Sequence, residues 1–201
     1  MNVSIWIPVI TALIASITTL GVIWLKHYLK EKASHAKEGV IEKCVGEDVE
    51  IVENLKEISK ELGADRVSIF SFHNGGQFYS GKSMQKMSIS YEVVSDGIAS
   101  IQLDKQNIPV SACVTTLKPL VDYGEFHCRK IKEYPDGLCK YHLEKDGIKS
   151  TYGYAIMDLE DKTIGMLRMD YVKKEKWLND EEFETLRVFA LKLPGYLLAK
   201  K

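Results

Sequence analysis

Residues 147–171 hold two β-rich, mostly apolar runs that flank a short charged turn. In a first β-rich run, Tyr152, Tyr154 and Ile156 share one face, and Gly153, Ala155 and Met157 share the other. The charged turn Glu160-Asp161-Lys162 follows. In the second run Gly165, Leu167 and Met169 lie on one face, and Met166, Arg168 and Asp170 on the other. The pattern predicts a hairpin. Neither strand has a clean polar face, so the hairpin belongs at the centre of a sheet covered on both sides. Its Gly and Ala positions leave room for close helix packing. Its Tyr and Arg positions are suited to lining a pocket.

Around this hairpin the periodicity predicts further elements. Ile51, Leu55, Ile58 and Leu62 recur at helical steps, and Ile41, Val45, Val49 and Val52 continue the stripe less regularly. Gly63 is placed to end that helix. The stripe packs either on its own domain or against a second copy as a short coiled coil. Residues 66–72 read as a strand running into a turn-forming cluster, His73-Asn74-Gly75-Gly76. Residues 87–94 alternate as the next strand, and Asp96-Gly97 marks a turn. Residues 109–121 read as a short helix capped by Ser111 and stopped by Pro119. Residues 122–148 are mixed, with turn signals at Tyr123-Gly124 and Pro135-Asp136-Gly137. A last helix opens at Asn179 or Asp180 with acids in its first turn, and Pro194-Gly195 interrupts it.

Residues 5–25 contain no charged residue. As a helix they span roughly 30 Å, the thickness of a bilayer core. Trp6 and Trp24 flank the run, where amphipathic rings favour the interface, and Pro8 sits in its first turns. A cleaved signal peptide is the alternative, but no basic segment precedes the run and no small-residue cleavage site follows it. Lys26, Lys30, Lys32 and Lys37 follow the run and no Lys or Arg precedes it. The expected order is therefore an outer N-terminus over residues 1–4, a transmembrane helix over 5–25, a helical connector over 26–62 and a cytoplasmic domain over 63–201, at the inner membrane.

The chain has 201 residues and a formal net charge of −1, which fits one ordinary domain plus an appendage. That balance lacks the basic footprint of nucleic-acid binding. Four cysteines are scattered without a CxxC pair, so no disulfide framework is expected.

Four groups of residues carry candidate chemistry. Residues 76–83 match the P-loop pattern, but a strand pattern follows where a phosphate-binding helix is required, so a glycine-dependent hairpin loop is the better reading. His73 and Asn74 stand where a strand leaves the sheet, a common place for ligand contacts, although Asn-Gly is also a common tight turn. Tyr91, Glu92, Tyr154 and Arg168 complete a polar pocket in this reading. Arg168 inside an apolar strand requires a partner: Glu92, Asp170 or a ligand anion. His127, Cys128, Cys139 and His142 carry zinc-ligand chemistry, but the spacing is not that of a standard finger. No motif for a catalytic triad, metalloprotease or acidic dyad is present, and the sequence names no cofactor.

Three segments carry a family resemblance. Residues 108–121 end in Thr116-Leu117-Lys118-Pro119-Leu120, Gly147-Ile148-Lys149-Ser150 leads into the hairpin, and Thr163-Ile164-Gly165-Met166-Leu167 is followed by Asp180-Glu181-Glu182-Phe183-Glu184. Together and in order, residues 55–198 resemble a GAF domain. Residues 72–75, with Tyr91-Glu92 and Gly97-Ile98, are also similar to small membrane-anchored proteins of bacteria and phages. The resemblance implies an α+β fold: an antiparallel sheet with helices on one face and a ligand pocket on the other. It implies a sensor of a small ligand or a platform for a protein partner, and a homodimer. The chain stops after the last helix, so no fused output domain is expected. Two alternatives stand beside this. One is a ligand-free dimeric membrane adaptor. The other is a thiol-based redox protein of the free methionine-R-sulfoxide reductase type, which is GAF-like and carries cysteines in the region of Cys113, Cys128 and Cys139, although the spacings differ.

Overall fold

The structure is a computed structural model that describes residues 3–35 and 40–197, with side chains described for 15–31, 45–195 and 197. The chain divides into two compact units, Met1–Glu47 and Asp48–Lys201. The first contains helix α1 (Val3–His35) and the start of α2 (Val40–Leu62). Among the described residues no helix is long and apolar enough to cross a membrane, which overturns the expected transmembrane segment and inner-membrane location. The roles expected of Trp6 and Pro8 lie outside the described side chains.

In the second unit, the stripe of α2 is buried on its own domain: Ile51, Leu55, Ile58 and Leu62 are all core residues. This part of the stripe is used within the chain, whereas Val45 and Val49, which continue it, are exposed. Gly63 ends α2 in the left-handed conformation, and Ala64 N–H returns to the Ser59 carbonyl at 2.9 Å.

The sheet is built from β1 (Arg66–Gln77), β2 (Ser83–Val94), β3 (Ile108–Pro109), β4 (Glu125–Cys128), β5 (Ser150–Met157) and β6 (Thr163–Tyr171). Its spatial order is β3-β2-β1-β6-β5-β4, antiparallel throughout. The expected hairpin is β5–β6, near the centre, and β6 pairs with β1 from Arg66 opposite Asp170 to Ser71 opposite Gly165.

Strand alternation sorts the side chains onto two faces. Val67, Ile69, Tyr152, Tyr154, Leu167 and Met169 meet α2 and helix α5 (Asp180–Lys192). Asn179 caps α5 in a reciprocal capping box with Glu182, as its acidic first turn suggests. The break at Pro194 starts a short α6 (Pro194–Leu197). Phe70, Met87, Ile89, Ala155 and Met166 point the other way. There they are covered by a 3-10 turn (Val110–Cys113), α3 (Val114–Tyr123), a second 3-10 turn (Ile131–Glu133) and α4 (Leu138–Lys145). Helices therefore pack on both faces, not on one. The face under residues 98–148 is called the inner face below.

Two local expectations are corrected. The cluster at His73 is not a turn: β1 continues to Gln77, with Asn74 paired to Gln85 and an irregularity before Gln77. Gly75 permits this, because a Cβ there would lie 2.3 Å from the Lys86 side chain. Ser111 makes no cap, and Pro119 sits inside α3, which runs on to a left-handed Gly124. Pro119 lies in the second turn, so its missing N–H forfeits a single bond near the helix start.

Candidate functional site

Strand alternation divides the six expected ligand residues. Glu92 and Arg168 stand on the inner face. Tyr91 and Tyr154 stand on the opposite face: Tyr91 Oη donates to Asp48 at 2.6 Å, and Tyr154 is buried in the α2–α5 core. Burial, with Glu125 as hydrogen-bond partner, pushes the Tyr154 phenol well above its ordinary range. His73 and Asn74 lie farther out along β1, where His73 Nε2 meets Ser88 Oγ at 2.9 Å and Gln85 donates to Asn74 at 2.8 Å. The structure therefore brings together one pair of the six and disperses the rest.

Around that pair the inner face holds a buried polar cluster. Asp170 is fully buried and accepts from Arg168 at 2.9 Å, Arg66 at 3.4 Å and Thr151 at 2.8 Å. Arg66 is also buried; it reaches Glu92 at 3.3 Å and donates to the Ala99 carbonyl at 2.9 Å. Glu92 accepts in turn from the Ile101 and Gln102 amides, at 3.0 and 3.2 Å. In the cover, Lys105 pairs with Asp146 at 2.8 Å, both nearly buried. The three cations and three carboxylates balance. Arg168 needs no ligand anion, because Asp170 is its partner. Its guanidinium carbon also lies 4.7 Å from the centre of the Phe70 ring.

Three side-chain atoms in this cluster have no hydrogen-bond partner among the described residues. They are Arg66 Nε, which still faces the Glu92 carboxylate at 3.3 Å, together with Ser68 Oγ and Arg168 Nε, all buried. Ser68 and Arg168 are register partners on β1 and β6, so the two groups are neighbours on the inner face. Native proteins satisfy most buried polar groups, and each exception carries a desolvation penalty of about 1–3 kcal/mol.

Cys113 and Cys139 also meet under the cover. Both belong to one buried cluster, and Thr116 Oγ1 lies 3.1 Å from Cys139 Sγ. Thr116 is in turn hydrogen-bonded to Tyr134. Cys139 is brought down to about 6, first by its bond with Cys113, then by Thr116 and the charges of Arg168 and Lys105. Cys113 is pushed well up by the same bond and by burial. Cys128 differs: it donates to the Lys130 carbonyl at 3.1 Å, and burial raises it.

The remaining motifs resolve differently. Residues 78–82 form the β1–β2 turn, closed by Phe78 N–H to the Lys82 carbonyl at 2.8 Å, and a strand follows where a P-loop needs a helix. His127 faces Phe183 at 5.8 Å, whereas Cys128 points to the inner face, so the two cannot serve one ion. Among the described residues, no group of three or more His, Cys, Asp or Glu is placed to hold a metal. Arg66, Ser68, Lys105 and Asp146 were not singled out by sequence reasoning. Only a charge at the head of an apolar strand hinted at Arg66.

No protein-family model matches the sequence, and no curated protein matches it. Solved structures do. The phycoerythrobilin-bound GAF domain of a cyanobacterial phytochrome aligns at a TM-score of 0.60 and 18% identity, over 78% of this chain and 87% of that one. The blue-light absorbing form of the Thermosynechococcus elongatus PixJ GAF domain aligns at 0.59 and 13%, over 75% and 86%. A far-red cyanobacteriochrome photoreceptor aligns at 0.59 and 14%, over 84% and 94%. The fold is thus α+β and GAF-like. At these identities the likeness establishes the fold and no ligand.

Proposed function

We propose that this chain is a sensor module, not an enzyme, and that it recognises a small molecule on the inner face beside Ser68 and Arg168. The observation that carries the reading is the pair of neighbouring buried groups without protein partners. Both can donate a hydrogen bond, so the ligand offers an acceptor. The cluster's charges already cancel, so a neutral acceptor such as a carbonyl suits it better than an added anion. The GAF-like fold supports the reading, since two of the solved neighbours are described as a bilin-bound domain and a photoreceptor.

The test is native mass spectrometry of the purified chain, followed by the Ser68→Ala and Arg168→Lys variants. The expected result is a co-purifying small molecule whose occupancy falls in both folded variants. A crystal structure in which Ser68 and Arg168 are satisfied by water alone, with no bound mass on the protein, would overturn the proposal.

A further inference from the structure

The face of the sheet opposite to Ser68 and Arg168 carries α2 and α5, and a groove of about 490 Å³ lies between the two helices. Its walls follow helical spacing. On α2 they are formed by Asn54, Ile58 and Glu61, at steps of four and three. On α5 they are formed by Glu181, Thr185, Val188 and Lys192, at steps of four, three and four. From Glu181 to Leu193 the α5 wall is about 18 Å long at 1.5 Å per residue. A groove between two helices, lined at this spacing, has the shape that a third helix fills.

The floor of the groove is apolar and open. Ile58 and Leu193 are buried at its base, Phe189 is half-buried, and Val188 is 41% exposed. The rim is acidic. Glu57 and Glu61 stand on the α2 side and Glu181 and Glu184 on the α5 side, with Lys192 as the one cation in the lining. Glu184 is paired with Arg187 at 2.6 Å. Glu57, Glu61 and Glu181 are exposed and have no ion-pair partner among the described residues. The whole chain has a net charge of only −1, so the acidic rim is a local feature.

An apolar floor between unpaired carboxylates calls for an occupant with the reverse pattern. A second copy of this chain does not offer it through the same face, because an isologous contact sets glutamates against glutamates. A helix whose apolar stripe is flanked by Lys or Arg does offer it. We infer that the α2–α5 groove is a docking site for a basic amphipathic helix of a protein partner. The apolar stripe of that helix covers Val188 and Phe189, and its cations lie against Glu57, Glu61 and Glu181. Burial of the stripe holds the complex together. The carboxylates steer the encounter and select basic over acidic helices, and because they are exposed that selection weakens with salt.

This inference goes beyond the ligand proposal and does not depend on it, since the groove and the Ser68–Arg168 site lie on opposite faces of the sheet. The probe is a fluorescein-labelled peptide of leucine and lysine, about 14 residues long to span the groove, with its leucines at helical spacing. A counterpart carries glutamate in place of lysine. Titration with the full chain, followed by fluorescence anisotropy at low salt, should show saturable binding of the lysine peptide and roughly tenfold weaker binding of the glutamate peptide. The double variant Glu57→Lys, Glu181→Lys should weaken the lysine peptide by roughly tenfold, and Val188→Asn by several-fold, with the far-UV circular dichroism of both unchanged. The double variant Glu144→Lys, Glu175→Lys makes the same charge change at exposed positions outside the groove and should bind as the native chain does. Failure of the lysine peptide to bind saturably, or an equal loss in this control variant, would overturn the inference. A native dimer that the lysine peptide dissociates into monomers in sedimentation velocity would overturn it too, since the groove would then hold a second copy.

Discussion

Arg66 and Asp170 face one another in register on β1 and β6, and their side chains meet at 3.4 Å with exposures of only 2% and 0%. The same carboxylate also holds Arg168 and Thr151. Removing it would leave two guanidiniums buried with less than their share of negative charge. Asp170→Asn should therefore destabilise the domain by about 3–5 kcal/mol, since a broken buried pair leaves an uncompensated charge. Urea denaturation of the variant beside the native chain measures this. A loss near zero would mean that water or Glu92 replaces the carboxylate without penalty.

Gly165 marks a close approach of β6 to β1. A Cβ at this position would lie 2.5 Å from the Phe70 carbonyl oxygen, an atom of the neighbouring backbone. Gly165→Ala should cost about 2–3 kcal/mol, because neither strand can yield without shifting the register. Gly153→Ala meets the Phe126 ring instead, at 2.1 Å. A ring can pivot, so this variant should be the milder of the two. Thermal melts of both variants order them.

Cys139 provides a pH signature. Its lowered pKa means that the thiolate persists until the pH falls through about 6, and is lost below it. Alkylation of Cys139 by iodoacetamide should thus be flat from pH 8 to 7 and halve near pH 6. Cys128, raised by burial, should react appreciably only above the ordinary thiol range. The charges acting on Cys139 are Arg168 and Lys105, whose carboxylate partners are Asp170 and Asp146. Thr116→Val removes a donor from the thiolate and should move the midpoint up by roughly one to two pH units. Peptide-resolved alkylation rates across pH give both midpoints.

Much of this architecture was legible from period and punctuation. The β5–β6 faces, the buried stripe of α2, the Gly63 stop and the Asn179 cap all follow from local patterns. Asp170 was also recognisable as a partner for Arg168, being two positions away on the same face. The failures have a common cause in distance along the chain. Arg66 is buried by a carboxylate 104 residues away, and nothing near Arg66 announces it. Tyr154 and Arg168 seemed to belong to one pocket, but the β5–β6 register sets Tyr154 opposite Leu167 and sends it to the other face. At His73, local turn chemistry lost to pairing with β2, which carries the strand past an Asn-Gly pair. The charge-free run of residues 5–25 promised a membrane span, but among the described residues no helix is long and apolar enough.

The strand order also sets a timetable for synthesis. The sheet consists of two halves, β3-β2-β1 and β6-β5-β4, joined only where β1 meets β6. At a translation rate of roughly 5–20 residues per second, β1 waits on the order of ten seconds before β6 leaves the ribosome. During that time the β1–β2 hairpin can close on itself, yet Val67, Ile69 and Phe70 lack the strand that will cover their flank. The nascent chain therefore passes through a stage with an open, apolar strand edge, and this is the moment when a holding chaperone has most to protect.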